Sequence, residues 1–275
     1  FDRQELLMTK TALLAFLLST NVLAFELNGN FIQGGLLKGR TDLTTDVYVG
    51  DRKLLRDDHG SFIIGLDRDA AASLMVVEKV AGESVEHSFE IKARDYKLQK
   101  IAGISNKIMQ PDPEAVARSV KESKLVKQAR VKFSDSEGYK ADFEWPLIGP
   151  ITGVFGSQRV YNGVPKRPHY GVDVAAPTGT VAYAPAPGVV TLAYENMFFS
   201  GGTLIIDHGH GLTSSFLHLS KMLVQPGDVV EVGQAVAEVG ATGRVTGPHL
   251  DWRMNWYNSR IDPQLLVGQM PAAQR

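Results

Sequence analysis

The sequence predicts a mainly β protein, with a small N-terminal β-sandwich, a linker helix and a larger β-dense C-terminal domain. Three observations carry this. From residue 28 to 93, short apolar runs alternate with turn residues at a spacing of about a dozen residues. One stretch near residue 112 has helix-start chemistry. From Trp145 onward Gly and Pro punctuate β-rich runs, and helical periodicity is absent.

In chain order, the first element is a predicted export signal. "MTKTALLAFLLSTNVLAF" has Met8, the cationic Lys10, an apolar core from Thr11 to Leu23, and small Ala24 with Val22 two residues before it. This predicts a signal peptide over 1–24, cleaved after Ala24, with residues 1–7 ("FDRQELL") upstream of the true start. The core contains Ser19, Thr20 and Asn21 and falls short of the ~20 apolar residues that span a bilayer.

The sandwich is expected over 25–95. "DVYVG" (46–50), "GSFIIG" (60–65), "SLMVVE" (73–78) and "HSFEIK" (87–92) are its strands, and His59 and His87 read as plain surface residues. A linker follows over 96–144. Within "PDPEAVARSVKESKLVKQARVKF" (111–133), Asp112 can cap and Pro113 can take the first helical position. Val116, Ala117, Val120, Leu125, Val126 and Ala129 form a loose apolar stripe, opposite Arg118, Lys121, Lys124 and Lys127. This reads as a solvated linker helix, with a basic face that touches an anionic polymer as the sharper alternative. The last domain is expected over 145–268, with strands in "PGVVTLAY", "GGTLIIDHG", "GLTSSFLHLS", "GDVVEVGQAVAEVG" and "PHLDWRMNW", before a tail at 269–275.

Composition limits the chemistry. The chain has 275 residues, is 44% hydrophobic and 21% charged, and carries a net charge of -1, so nothing in the balance points to nucleic acid. It has no cysteine, which excludes disulfides, thiolate catalysis and sulfur-ligated zinc. A metal site must therefore use His, Asp or Glu.

Five of the seven histidines fall between 169 and 249. "RPHYGVDVAAP" places His169 four residues before Asp173, with Gly171 between. "IIDHGHGL" holds His208 and His210, "SSFLHLS" holds His218, and "TGPHLDWRMNW" holds His249 two residues before Asp251. Side chains alternate faces along a strand, so His249, Asp251 and Arg253 are expected on one side.

These stretches, in this order, resemble the lysostaphin/LytM-type zinc peptidoglycan endopeptidases, the murein D,D-endopeptidase-like metallopeptidases. The resemblance covers roughly 145–267 and implies a LytM-like β-sheet/barrel-sandwich hybrid domain. It implies His169 and Asp173 as zinc ligands, from the H-x-x-x-D pair, and His218 and His249 as catalytic histidines that act on the attacking water, the scissile carbonyl and the developing oxyanion. His208 and His210 are expected to have structural or surface roles. The chain departs from the family pattern at two positions. Phe216 stands where a Tyr is common, which is expected to remove a hydroxyl near the site. Asp251 stands where the second His of H-x-H supplies the third ligand.

Bond counting favours Asp251 as that ligand. An Asp Oδ sits two bonds from Cβ, as a His Nδ1 does, and both bind zinc at about 2.0–2.2 Å. Two carboxylates make the zinc complex formally neutral, which predicts a less acidified water, activity shifted to higher pH, and tolerance for a harder metal such as Mn2+. Arg253 offers the opposing possibility, a metal-free salt bridge with Asp251.

The expected function is a secreted or periplasmic zinc endopeptidase with one Zn2+ per chain, acting on peptide cross-links of peptidoglycan. No nucleic-acid partner is expected, and no membrane association after signal cleavage. The alternative is a degenerate wall-binding protein or amidase activator. "VQPGDVVEVGQAVAEVG" also looks like a biotinyl or lipoyl carrier sandwich, but no lysine follows Lys221 to be modified.

Overall fold

The computed structural model describes residues 25–103, 112–131 and 134–272. The expected signal segment, 1–24, lies outside the described residues. No helix among them is long and apolar enough to cross a membrane.

The N-terminal part is two antiparallel sheets. One orders Glu26–Gly29, Leu36–Arg40 and Ser61–Gly65; the other orders Arg52–Lys53, Asp46–Val49, Ser73–Val80 and Glu83–Glu90. Leu37, Val47, Phe62, Ile64 and Val76 are buried in the core. All four quoted runs contain strands. Leu36–Arg40 escaped sequence reading because "LLKGR" carries a mid-strand Gly, and the structure explains that Gly. A Cβ on Gly39 would lie 2.3 Å from the Phe62 ring. His87 is not a plain surface residue: its ring stacks on Phe25 at 4.1 Å, and Nε2 meets Glu78 at 2.8 Å.

The helix runs Pro113–Arg130, and Asp112 accepts a hydrogen bond from Glu114 N at 3.1 Å. Its docking face differs from the expected stripe. Ala115, Glu122 and Ala129, spaced two turns apart, are buried, whereas Val116, Val120 and Leu125 are exposed at 41%, 52% and 39%. Polar anchoring decides the orientation. Glu122 accepts from Phe198 N at 2.9 Å and from Arg118 Nε at 2.8 Å, which fixes the helix on the strands Gly188–Met197 and Gly201–Asp207. It is a packed element and not a solvated linker.

The linker also contributes a strand. Leu98–Ile101 pairs in parallel with Gln158–Tyr161, and so brings Lys97 and Gln99 to the rim of the C-terminal domain. That domain is a ten-stranded sheet whose main path is Val229–Val230, Gly188–Met197, Gly201–Asp207, Leu212–Met222, His249–Trp256, Val172–Ala175 and Ile151–Gly153. One face carries the fully buried Leu204, Ile206, Phe216, Leu250, Trp252 and Met254. The alternate residues of His249–Trp256 therefore present His249, Asp251 and Arg253 on the other face.

The two parts are joined tightly. Arg68, itself buried, donates twice to Gly156 O (2.8 and 3.1 Å), and Arg94 pairs with Asp262 at 2.8 Å. A Cβ on Gly65 would touch Trp256 at 2.4 Å, so the Ser61–Gly65 strand lies against the C-terminal sheet.

Candidate metal centre

The centre is built on two neighbouring strands and one loop. Val172–Ala175 pairs with His249–Trp256 in a register that sets Asp173 directly opposite Asp251 and Ala175 opposite His249. Like charges directly opposite each other across a ladder repel, so this pairing calls for a cation between them. His169 enters from the preceding loop, where its N–H donates to Ser157 O at 2.8 Å. Its Nε2 lies 3.0 Å from Asp173 Oδ1 and 3.5 Å from Asp251 Oδ2.

Two observations test whether these residues fit a metal. His169 Nε2 and Asp173 Oδ1 are buried atoms without a hydrogen-bond partner, although they face each other. Atoms of His169, Asp173 and Asp251 lie within 4.8 Å of one another, and ligands about 2.1 Å from a tetrahedral ion are themselves about 3.4 Å apart. The backbone leaves room for this cluster at two glycines. A Cβ on Gly153 would lie 2.1 Å from Asp173 Oδ2, and one on Gly171 would lie 2.4 Å from Asp251 Oδ1. The donor set fits a divalent metal.

Three backbone carbonyls set the imidazole tautomers. The Nδ1–H of His169 donates to Val154 O (3.2 Å), that of His218 to Thr242 O (2.9 Å), and that of His249 to Gly247 O (2.9 Å). A carbonyl only accepts, so each ring is left with Nε2 as its second nitrogen. His249 Nε2 stands 3.8 Å from Asp173 Oδ1, and the His218 and His249 rings are 4.9 Å apart. His218 adopts a φ of 67°, a sparsely populated conformation for a residue with a Cβ, and its N–H donates to Ser200 O at 2.8 Å.

Electrostatics separates the histidines. Burial pulls His169 down, but the carboxylates of Asp173 and Asp251 beside it outweigh this and push the ring up to about 10. Burial lowers His218, so it is neutral at neutral pH. Burial would raise Asp251, yet the charges of Arg253 and His169 hold it well below the usual carboxylate range.

Arg253 does pair with Asp251. Nε donates to Oδ1 at 2.9 Å and to Oδ2 at 3.1 Å, and Nη2 donates to Oδ2 at 2.5 Å. The salt bridge and the three-residue cluster coexist, where sequence reasoning had set them as alternatives. Phe216 belongs to the core and not to the site. It is fully buried in the core opposite Trp252, so a phenol there would point away from the centre, and no hydroxyl near the site is lost. His208 is buried, with Nδ1 on Pro187 O at 2.7 Å and Nε2 on Ser214 Oγ at 2.8 Å; His210 stacks on Tyr139 at 3.9 Å. Both roles are structural.

The cluster opens into a groove of about 750 Å³. Its charged lining is one-sided. Apart from the three-residue cluster itself, its Lys, Arg, Asp and Glu side chains are all basic: Lys97, Arg159, Lys166, Arg167, Arg244 and Arg253. The cationic rim was missed in the sequence, because its members come from four separate segments, of which the parallel Leu98–Ile101 pairing brings in Lys97 and the Phe199 carbonyl holds the backbone of Arg244.

Residues 167–263 match the model of peptidase family M23. The chain is 28% identical over 240 residues to peptidoglycan DD-endopeptidase ShyB of Vibrio cholerae serotype O1, which covers 86% of this chain and 51% of ShyB. It is 40% identical over 118 residues to DD-endopeptidase ShyA of the same organism, covering 42% of this chain and 26% of ShyA. The chain thus spans about half the length of ShyB, and the ShyA match covers about a quarter of that protein. Among solved structures, a putative peptidase M23 from Pseudomonas aeruginosa superposes with a TM-score of 0.67 at 28% identity, covering 86% of this chain and 95% of that one.

Proposed function

Because the chain carries a peptidase family M23 domain, we propose that it is a zinc metalloendopeptidase that hydrolyses peptide cross-links of bacterial peptidoglycan. The observation that carries this reading is the convergence of His169 Nε2, from a loop, with Asp173 Oδ1 and Asp251 Oδ2 from two paired strands. His169, Asp173 and Asp251 would hold one Zn2+, with Mn2+ as the harder alternative that oxygen ligands tolerate.

A bound zinc supplies Lewis acidity, which activates a water nucleophile and polarises a carbonyl. The rest belongs to the chain. His218, neutral and fixed with Nδ1 on Thr242 O, presents Nε2 as the base that takes the proton from the attacking water. The same nitrogen can then return that proton to the leaving amine. His249, fixed by Gly247 O, stands between His218 and Asp173 and orients the water and the developing oxyanion. The cationic rim suits the carboxylates of stem peptides, and the DD-endopeptidase names of ShyA and ShyB support D,D cross-links as the bond cut.

Substrate of this kind lies outside the cytoplasm, in accord with the export signal read in residues 8–24, so the protein is assigned to the periplasm or the exterior. The test is incubation of purified sacculi with zinc-loaded protein, followed by muropeptide analysis. Cross-linked dimers should fall as monomers rise. The Arg253–Asp251 salt bridge favours one other reading, a metal-free activator of amidases, which predicts glycan stripped of stem peptides only when an amidase is present.

A further inference from the structure

We propose that Arg253 is a positioning residue for the metal centre: its guanidinium aims the Asp251 carboxylate at His169 and Asp173, and offsets the extra negative charge that an aspartate brings to that position. This rests on the metal centre proposed above.

Asp251 is almost fully enclosed, with 3% of its side chain exposed, and faces a second carboxylate, Asp173, across the ladder. Left alone, two such groups repel and turn apart. Arg253 lies two residues on, hence on the same face, and its fork engages both Asp251 oxygens. The Nε–H is shared between the two oxygens and lies nearer Oδ1 (2.9 against 3.1 Å), so beside the Nη2 bond Oδ2 still faces His169 Nε2, 3.5 Å away.

Arg130 and Arg260 lie near enough to be lowered by the charge of Arg253, so the acidic pair offers its guanidinium the favourable partner. Gly171 supplies the space. A Cβ there would lie 2.4 Å from Asp251 Oδ1 and 2.7 Å from Arg253 Cγ, so only a bare backbone lets the arginine fold back on the aspartate. Charge counting agrees. Asp173 and Asp251 together with Arg253 sum to one net negative charge, the same as one aspartate with two neutral histidines. The arginine thus lets an aspartate stand in for a ligating imidazole.

Zinc alone, titrated calorimetrically into metal-free protein, tests this in a cycle of wild type, Arg253→Met, Asp251→His and the double variant, with melting of each metal-free protein as the second readout. Arg253→Met should weaken zinc binding by about 10–100-fold, the usual cost of losing a hydrogen-bond partner of a ligand. In the Asp251→His background the same change should matter by less than about threefold, because a neutral imidazole gives the guanidinium no carboxylate to hold. Should Arg253→Met fail to fold, Arg253→Lys decides, with a loss of at least about threefold expected because an ammonium cannot reproduce the fork. Equal or tighter zinc binding without the guanidinium overturns the proposal, since Arg253 would then compete with the ion. An equal loss in both backgrounds also overturns it, as general packing. Wild type that takes up no zinc sinks the metal centre itself, and this inference with it.

Discussion

His208 gives the sharpest stability prediction. It is buried inside the sheet, its Nδ1–H donating to Pro187 O and its Nε2 accepting from Ser214 Oγ, so the ring is held neutral with both nitrogens occupied. Burial lowers it to about 4 from an ordinary value of 6.5. The unfolded chain takes up this proton near pH 6.5, whereas the folded protein resists until about pH 4. Stability from this group is therefore fully present above pH 6.5 and is lost as the pH falls from 6.5 to 4. At 1.36 kcal/mol per pH unit the difference amounts to roughly 3 kcal/mol. Urea unfolding of wild type and His208→Asn at half-unit steps from pH 7.5 to 4 measures it. The variant should be less stable at pH 7.5, and the gap should close toward pH 4. A gap that stays constant across the window would refute the assignment of a neutral, burial-depressed ring.

Further outcomes follow from particular contacts. Gly171→Ala places a Cβ 2.6 Å from Trp252 O, a backbone atom that cannot turn aside, and should cost about 1–3 kcal/mol in thermal unfolding, whereas Gly268→Ala, with nothing within 4 Å, should be near neutral. Glu122→Ala strands Phe198 N and releases Arg118, so the helix should loosen, with about 1–3 kcal/mol lost and faster amide exchange at Phe198 and along Pro113–Arg130. The double charge reversal Arg159→Glu/Lys166→Glu should weaken sacculus binding by about tenfold at low salt, and the difference should vanish near 1 M salt, where the Debye length is about 3 Å.

Much of this organisation was legible because strand chemistry is local. Alternating runs such as "SFIIG" and "HLDWRMNW" announce their own faces, and the second of these put His249, Asp251 and Arg253 together before any pairing was known. The ordered histidine motifs pointed to the same cluster that the register then assembles. What stayed hidden was non-local. The helix face could not be read, because Glu122 answers to Phe198 N, 76 residues away, and not to a stripe along its own helix. Phe216 looked like a site position, but the ladder turns it into the core opposite Trp252. Nor does any motif mark Val154, Thr242 and Gly247 as the carbonyls that fix the three rings, since a main-chain acceptor leaves no trace in side-chain identity.

Zinc K-edge X-ray absorption on the loaded protein reads the ligand set itself. One coordinated imidazole is expected, that of His169, with the remaining neighbours oxygen at about 2.0–2.2 Å. Asp251→Ala should remove one of these oxygens or abolish zinc uptake. Two coordinated imidazoles, or an unchanged spectrum in Asp251→Ala, would contradict this ligand set.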